Sequence, residues 1–297
     1  MADVLELPTP QAPPAAVEAA APAQTRSSVM YLQRFDRIDR TLHGFLMLSF
    51  LGLSSTGLPL LFSDAPWAAR MARVLGGFAA THHLHRVFAS IMILVFLIHV
   101  LRLIERVVIR RDFAIFWGPR SMVPQPRDLR EMFEHVRWFI GLGARPEFDR
   151  YTYWEKFDYW AVFWGMAIIG GSGLLLWFPE TFARVLPGWV LNIALLVHGE
   201  EALLAVGFIF TIHFFNGHLR PEKFPMDLVI FTGRVSERDL RDERPAEYAR
   251  MAAARRLRDA GAPSRRSWMI GRLVGTTAVV IGLSIVALIV YAMVSHG

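Results

Sequence analysis

Five stretches of about twenty apolar residues punctuate this chain, and no other feature limits its possible folds so strongly. They cover residues 42–62, 83–103, 159–178, 189–217 and 268–294. A hydrocarbon core of ~30 Å is crossed by roughly 20 helical residues. With no water inside a bilayer to pair with open backbone groups, each stretch is expected to be a transmembrane helix. Composition agrees, since 54% of the 297 residues are hydrophobic, with 22 Phe and 9 Trp. That is too apolar for a soluble domain of this length. The predicted fold class is an all-α integral membrane protein.

Charge gives the expected orientation. Of the 32 Lys and Arg, 27 lie before the first stretch, between Arg102 and Lys156, or between Arg220 and Arg266, whereas the alternate loops hold only Arg70, Arg73 and Arg184. By the positive-inside rule the N-terminus and the two long basic segments are inside and the C-terminus is outside. This alternation accounts for the net charge of +6 without invoking nucleic acid.

Residues 1–30, rich in Ala and Pro, are expected to form a disordered tail. Residues 31–248 are read as the main domain, 249–267 as a basic linker and 268–297 as an extra helix. Within the first basic segment, Leu129, Met132, Phe133, Val136, Phe139 and Ile140 recur at helical spacing among charged residues. An amphipathic helix near residues 127–140 is expected on the inner surface, in contact with membrane lipid.

The chain has no cysteine, which excludes disulfides, iron–sulfur clusters and covalent haem attachment within it. It has six histidines in or beside the apolar stretches, His43, His85, His99, His198, His213 and His218. Ionisable groups at such positions face a bundle interior and serve a purpose. His85 and His99 are 14 residues apart, a residual turn of about −40° and a rise of ~21 Å; His198 and His213 are 15 apart, about +60° and ~22 Å. Each pair therefore shares a helix side. In an up-and-down bundle the second and fourth helices run parallel, so His85 matches His198 in depth near the outer face and His99 matches His213 near the inner one.

Two imidazoles meeting at one depth suit the axial positions of a haem iron, and leave none open for substrate. Two b-type haems stacked across the bilayer are the expectation, in a four-helix haem-binding bundle plus a fifth C-terminal helix. Gly44, Gly52 and Gly57 in the first stretch and Gly165, Gly170, Gly171 and Gly173 in the third leave room for a macrocycle, although ordinary helix packing uses them too. Arg40 and Arg86 are candidate partners for haem propionates. A cofactor-free membrane anchor and a His-lined proton or metal permease are the competing readings.

The string RIDRTLH at 37–43, His85 opening the second stretch, RYTYWEK at 150–156, and His198 with His213 together resemble the membrane subunit of formate dehydrogenase. The wider group includes the cytochrome b subunits of nickel–iron hydrogenases and thiosulfate reductases. The segment HFFNGHLRPEKFPMD at 213–227 is similar to di-haem cytochromes b that work beside periplasmic multihaem cytochromes c. The likeness covers about Arg34 to Tyr248.

The resemblance implies an outer haem between His85 and His198, and an inner haem between His43 and His213. His99 is an extra candidate at the inner depth, and both it and His43 stay open as partners of His213, with His43 preferred. The spare one, with His218, is left to a quinone or to a third haem. The resemblance puts a quinone or menaquinone site beside the segment before the third helix, here Thr152, Trp154, Glu155 and Lys156, with His218 close by. Thr152 and Trp154 depart from the smaller or amide residues of the family pattern. The implied protein is a quinone-reactive electron-transfer subunit of a bacterial cytoplasmic-membrane oxidoreductase. Its implied partner is a periplasmic multihaem cytochrome c or an iron–sulfur subunit.

Overall fold

The computed structural model describes residues 29–296. The expected N-terminal tail falls almost wholly outside the described residues. The chain enters through a short strand, β1 (Tyr31–Gln33), and then forms α1 (Arg37–Leu61), α2 (Pro66–Val74) and α3 (Phe78–Val108). After a basic segment containing α4 (Pro126–Phe139), the chain turns back through α5 (Tyr153–Gly165), a π turn (Met166–Gly170) and α6 (Gly171–Trp177). The short α7 (Pro179–Phe182) leads to α8 (Gly188–Phe208), which continues through two π turns, Ile209–His213 and Phe215–Leu219. Then follow α9 (Val229–Thr232), β2 (Arg234–Ser236), α10 (Glu237–Glu243), α11 (Pro245–Ala253) and α12 (Arg265–His296).

Among the described residues, five helices are long and apolar enough to cross a membrane: Arg37–Leu61, Phe78–Val108, Tyr153–Trp177, Gly188–Leu219 and Arg265–Val294. They are called here the first to fifth spans. Their outward sides are apolar and uncovered, as at Leu94, Leu97, Leu101, Leu204 and Leu273. Large exposed apolar areas of this kind belong in lipid. The chain is a multi-pass, all-α membrane protein.

Inside the bundle, contact rests on small residues and a few aromatics. Ser49, Ser54 and Thr56 of α1 are buried, each donating its hydroxyl proton to a carbonyl one turn back. Such back-bonding satisfies a hydroxyl without a partner helix, so neighbouring backbones approach closely. The fifth span does not stand apart: its Ile285 packs with Leu58 of the first span and Val206, Phe210 and Phe214 of the fourth.

One end of the bundle carries the Arg-rich segments, and there the connecting chain folds into a cap; the other end has the short loops. β1 and β2 pair antiparallel, with Leu32 opposite Val235. Glu247, almost fully buried, takes both Arg34 and Arg150, while Arg244 reaches Glu155 at 2.9 Å. The stretch read as a basic linker begins inside α11, and its later part is hydrogen-bonded to β1. Ala260 donates its N–H to the Tyr31 carbonyl at 2.7 Å, and Asp259 accepts from the Tyr31 N–H. The expected amphipathic helix is α4. Its Asp128 and His135 turn inward, whereas Leu129, Phe133, Val136 and Phe139 are exposed on the opposite side. That inversion of the soluble pattern suits a helix lying on a bilayer surface.

Candidate functional site: histidine pairs between the spans

At the short-loop end, His85 of the second span and His198 of the fourth face one another. Their ring centres are 6.2 Å apart and the ring planes cross at 79°. Each ring is held by its Nδ1. His198 Nδ1 lies 2.9 Å from the Ile169 carbonyl, inside the third span's π turn, and 3.3 Å from Ser172 Oγ. A carbonyl only accepts, so Nδ1 carries the proton and Nε2 keeps its lone pair.

His85 reaches the same state by a different route. Its Nδ1 lies 2.9 Å from Thr56 Oγ1, and that hydroxyl already donates to the Gly52 carbonyl at 2.7 Å. The Thr56 oxygen is therefore left to accept from His85 Nδ1, and again Nε2 keeps its lone pair. Neither Nε2 has a hydrogen-bond partner among the described residues.

This is the form in which imidazole binds a metal, with the second nitrogen fixed by a protein acceptor. An imidazole nitrogen lies about 1.1 Å from its ring centre and binds a metal at roughly 2 Å, so two rings sharing one iron have centres about 6 Å apart. The observed spacing fits. The backbone leaves room for the rings: a Cβ at Gly173 would stand 2.9 Å from His198 Cε1, and one at Gly57 3.1 Å from His85 Cε1. Arg86, one residue on, lies over the Trp177 ring at 5.6 Å.

The basic-end histidines are arranged less symmetrically. His213 Nδ1 lies 2.9 Å from Asp158 Oδ2 of the third span, a carboxylate that fixes the proton on Nδ1. His43, His213 and His218 are near enough to act on one another electrostatically. His218 Nδ1 is buried with no hydrogen-bond partner. His43 lines a cavity of about 420 Å³ with Arg37, Arg40, Thr41 and Phe231. Arg40 donates to the Phe231 carbonyl while its Nε is buried without a partner.

His99 turns elsewhere. Its Nε2 lies 2.9 Å from Tyr159 Oη, and its ring packs on Tyr159 and Phe163 of the third span. That nitrogen has no hydrogen-bond partner among the described residues in His85, His198 and His213, but it is engaged here.

The fourth span's π turn also revises the helix arithmetic. A π turn takes one residue out of the α count, so the 15 residues from His198 to His213 turn the ring roughly as 14 would, about −40°. The two histidines remain on one side, at nearly the offset of His85 and His99.

The residues grouped for a quinone are mostly spent in holding the cap. Thr152 and Glu155 form a reciprocal cap at the start of α5, with Thr152 N–H donating to Glu155 Oε2 at 2.8 Å. Lys156 is buried on Asp128, at 2.6 and 2.8 Å from its two oxygens. Trp154 stacks on His135 with ring centres 5.3 Å apart, beneath the Arg220 guanidinium. Of that group, His218 alone has a buried polar atom without a hydrogen-bond partner among the described residues. Histidine spacing does not point to Thr56 or Ser172. A hydroxyl within one turn of Gly57 or Gly173 is the signal that points to them.

No protein-family model matches the chain, and no curated protein matches it. No group of three or more His, Asp or Glu able to hold a bare metal ion occurs among the described residues.

Proposed function

We propose that this chain is the b-type cytochrome subunit of a membrane oxidoreductase, exchanging electrons between a quinone in the bilayer and a redox partner beyond it. The observation that carries this reading is the His85–His198 pair. Its two rings come from different spans, stand 6.2 Å apart, and each has its proton fixed on Nδ1. Two imidazoles are too few for a bare metal ion, which needs about four ligands, but they suit an iron whose other positions are filled by a macrocycle. Haem bound in this way supplies reversible one-electron chemistry with no position open to substrate.

For the second level we assign His213 and His43. His99 is set aside because Tyr159 occupies its Nε2. Arg37 and Arg40 beside His43 are suited to haem propionates, since guanidinium pairs bidentately with carboxylate. His218, the residue of the quinone group with a buried, unpartnered ring nitrogen, is assigned to the quinone. Thr152, Glu155 and Lys156 fix the shape of the cap around that region. The resemblance to formate dehydrogenase membrane subunits supports the same reading. The basic cap belongs on the cytoplasmic side of a bacterial inner membrane by the positive-inside rule. The short-loop end then faces a periplasmic multihaem cytochrome c or an iron–sulfur subunit.

A reduced-minus-oxidised absorption spectrum of the purified protein tests the assignment. A sharp α band with two haems per chain is expected. Single replacement of His85, His198, His213 or His43 by Leu should each remove one haem, and His99→Leu should retain both. A colourless protein, expressed with haem supplied, sinks the reading.

A further inference from the structure

Within the described spans, three histidines have Nδ1 fixed, and they differ in what fixes it. At the short-loop level the acceptors are neutral, the Thr56 hydroxyl for His85 and the Ile169 carbonyl for His198. At the basic-end level His213 meets the Asp158 carboxylate at 2.9 Å. Asp158 makes no ion pair with Lys or Arg among the described residues, and its other oxygen, Oδ1, is buried without a hydrogen-bond partner. A carboxylate within a membrane span is costly, and its charge is poorly screened there.

We propose that Asp158 makes the basic-end level the more reducing of the two, an inference that rests on the haem assignment above. A carboxylate on Nδ1–H draws the proton and pushes electron density towards Nε2, so His213 becomes a stronger donor than His85 or His198. A stronger donor and a nearby negative charge both favour the oxidised over the reduced metal and lower the potential. A hydroxyl and a carbonyl do neither to the same degree. At equilibrium an electron then rests preferentially at the short-loop level, which biases the pair of sites outward, away from the cap. The sequence spacing alone contains no such bias. It comes from a contact between the third and fourth spans.

Spectroelectrochemical titration of the purified, haem-loaded protein tests this, with His85→Leu identifying which midpoint belongs to which level. Wild type should show two separated midpoints, the basic-end one lower. Asp158→Asn should keep both haems and raise the lower midpoint, narrowing the separation. If both haems remain and neither midpoint moves, or if the basic-end midpoint is already the higher in wild type, the proposal is overturned. If Asp158→Asn loses one haem, Asp158→Glu decides: a carboxylate variant that regains the haem at the low potential supports the proposal, and one that does not overturns it. A wild-type protein without haem ends the cytochrome assignment as well, whereas unmoved midpoints in a two-haem protein end only this inference.

Discussion

Thr56 gives its one proton to the Gly52 carbonyl and so can only receive at His85 Nδ1, 2.9 Å away. The ring is thereby fixed in the tautomer that leaves Nε2 for a metal. Removing the acceptor while keeping the shape, as in Thr56→Val, frees the ring to rotate and to change tautomer. Loss of such an outer-shell partner typically weakens metal binding by about 10–100-fold. We expect Thr56→Val to lose haem from the short-loop level first on dilution or mild heating. Haem content by pyridine haemochrome, followed against time, checks it; a variant that holds both haems as firmly as wild type refutes it.

Gly173 lies against the other ring. A methyl group there would stand 2.9 Å from His198 Cε1, closer than Cβ atoms pack, so the ring must move. Gly173→Ala is expected to lower haem content to one per chain. Gly44→Ala, whose added methyl meets nothing within 4 Å, should leave two. Equal haem content in both variants would show that the ring has room to spare.

In the cap, Glu247 is buried beneath Arg34 and Arg150. Removing one partner of a buried ion cluster leaves unpaired charge and costs about 3–5 kcal/mol. Glu247→Ala should therefore lower the thermal unfolding midpoint in detergent markedly. Glu237→Ala, at the exposed pair with Arg241, should change it little. Comparable small shifts in the two variants would contradict the assigned role of the cluster.

Burial and the neighbouring Asp128 carboxylate hold the Glu131 carboxyl at about 7, above its usual 4.5. An unfolded chain releases that proton first, so the group costs stability as the pH climbs from about 4.5 to about 7, and the cost persists above that. Glu131 is only half-buried, so solvent reduces the effect to ~1 kcal/mol. Glu131→Gln is expected to stabilise the protein at pH 8 and to leave it unchanged at pH 4. Melting curves at the two pH values distinguish this from a pH-independent packing effect.

The five spans were legible because each is a local property of composition. α4 was legible for the same reason, its apolar residues recurring every three or four positions. The π turns were not, since an i→i+5 bond pattern has no residue signature, and one of them shifts the angular count between His198 and His213. Thr152, Glu155 and Lys156 stood out in sequence as polar groups at a membrane edge. Their polar atoms turn out to be engaged by one another, by Arg244 and by Asp128, the last two 89 and 28 positions away from Glu155 and Lys156. Contacts at that distance cannot be read from spacing. The same limit hid the tyrosine that engages His99, which is 60 residues from it.

The pairing of Tyr31 with Ser236 has a bearing on biogenesis. Strand partners more than two hundred residues apart meet only after four of the five spans have left the ribosome. The early spans are each apolar enough to cross the bilayer without that pairing, so β1 stays unpaired until β2 is made. The strap closes late and fastens the start of the first span to the segment that follows the fourth. A chain stopped before Arg234 would lack this strand pairing and keep only side-chain ties such as Arg102 to Asp36 and Asp39 between the ends of its spans.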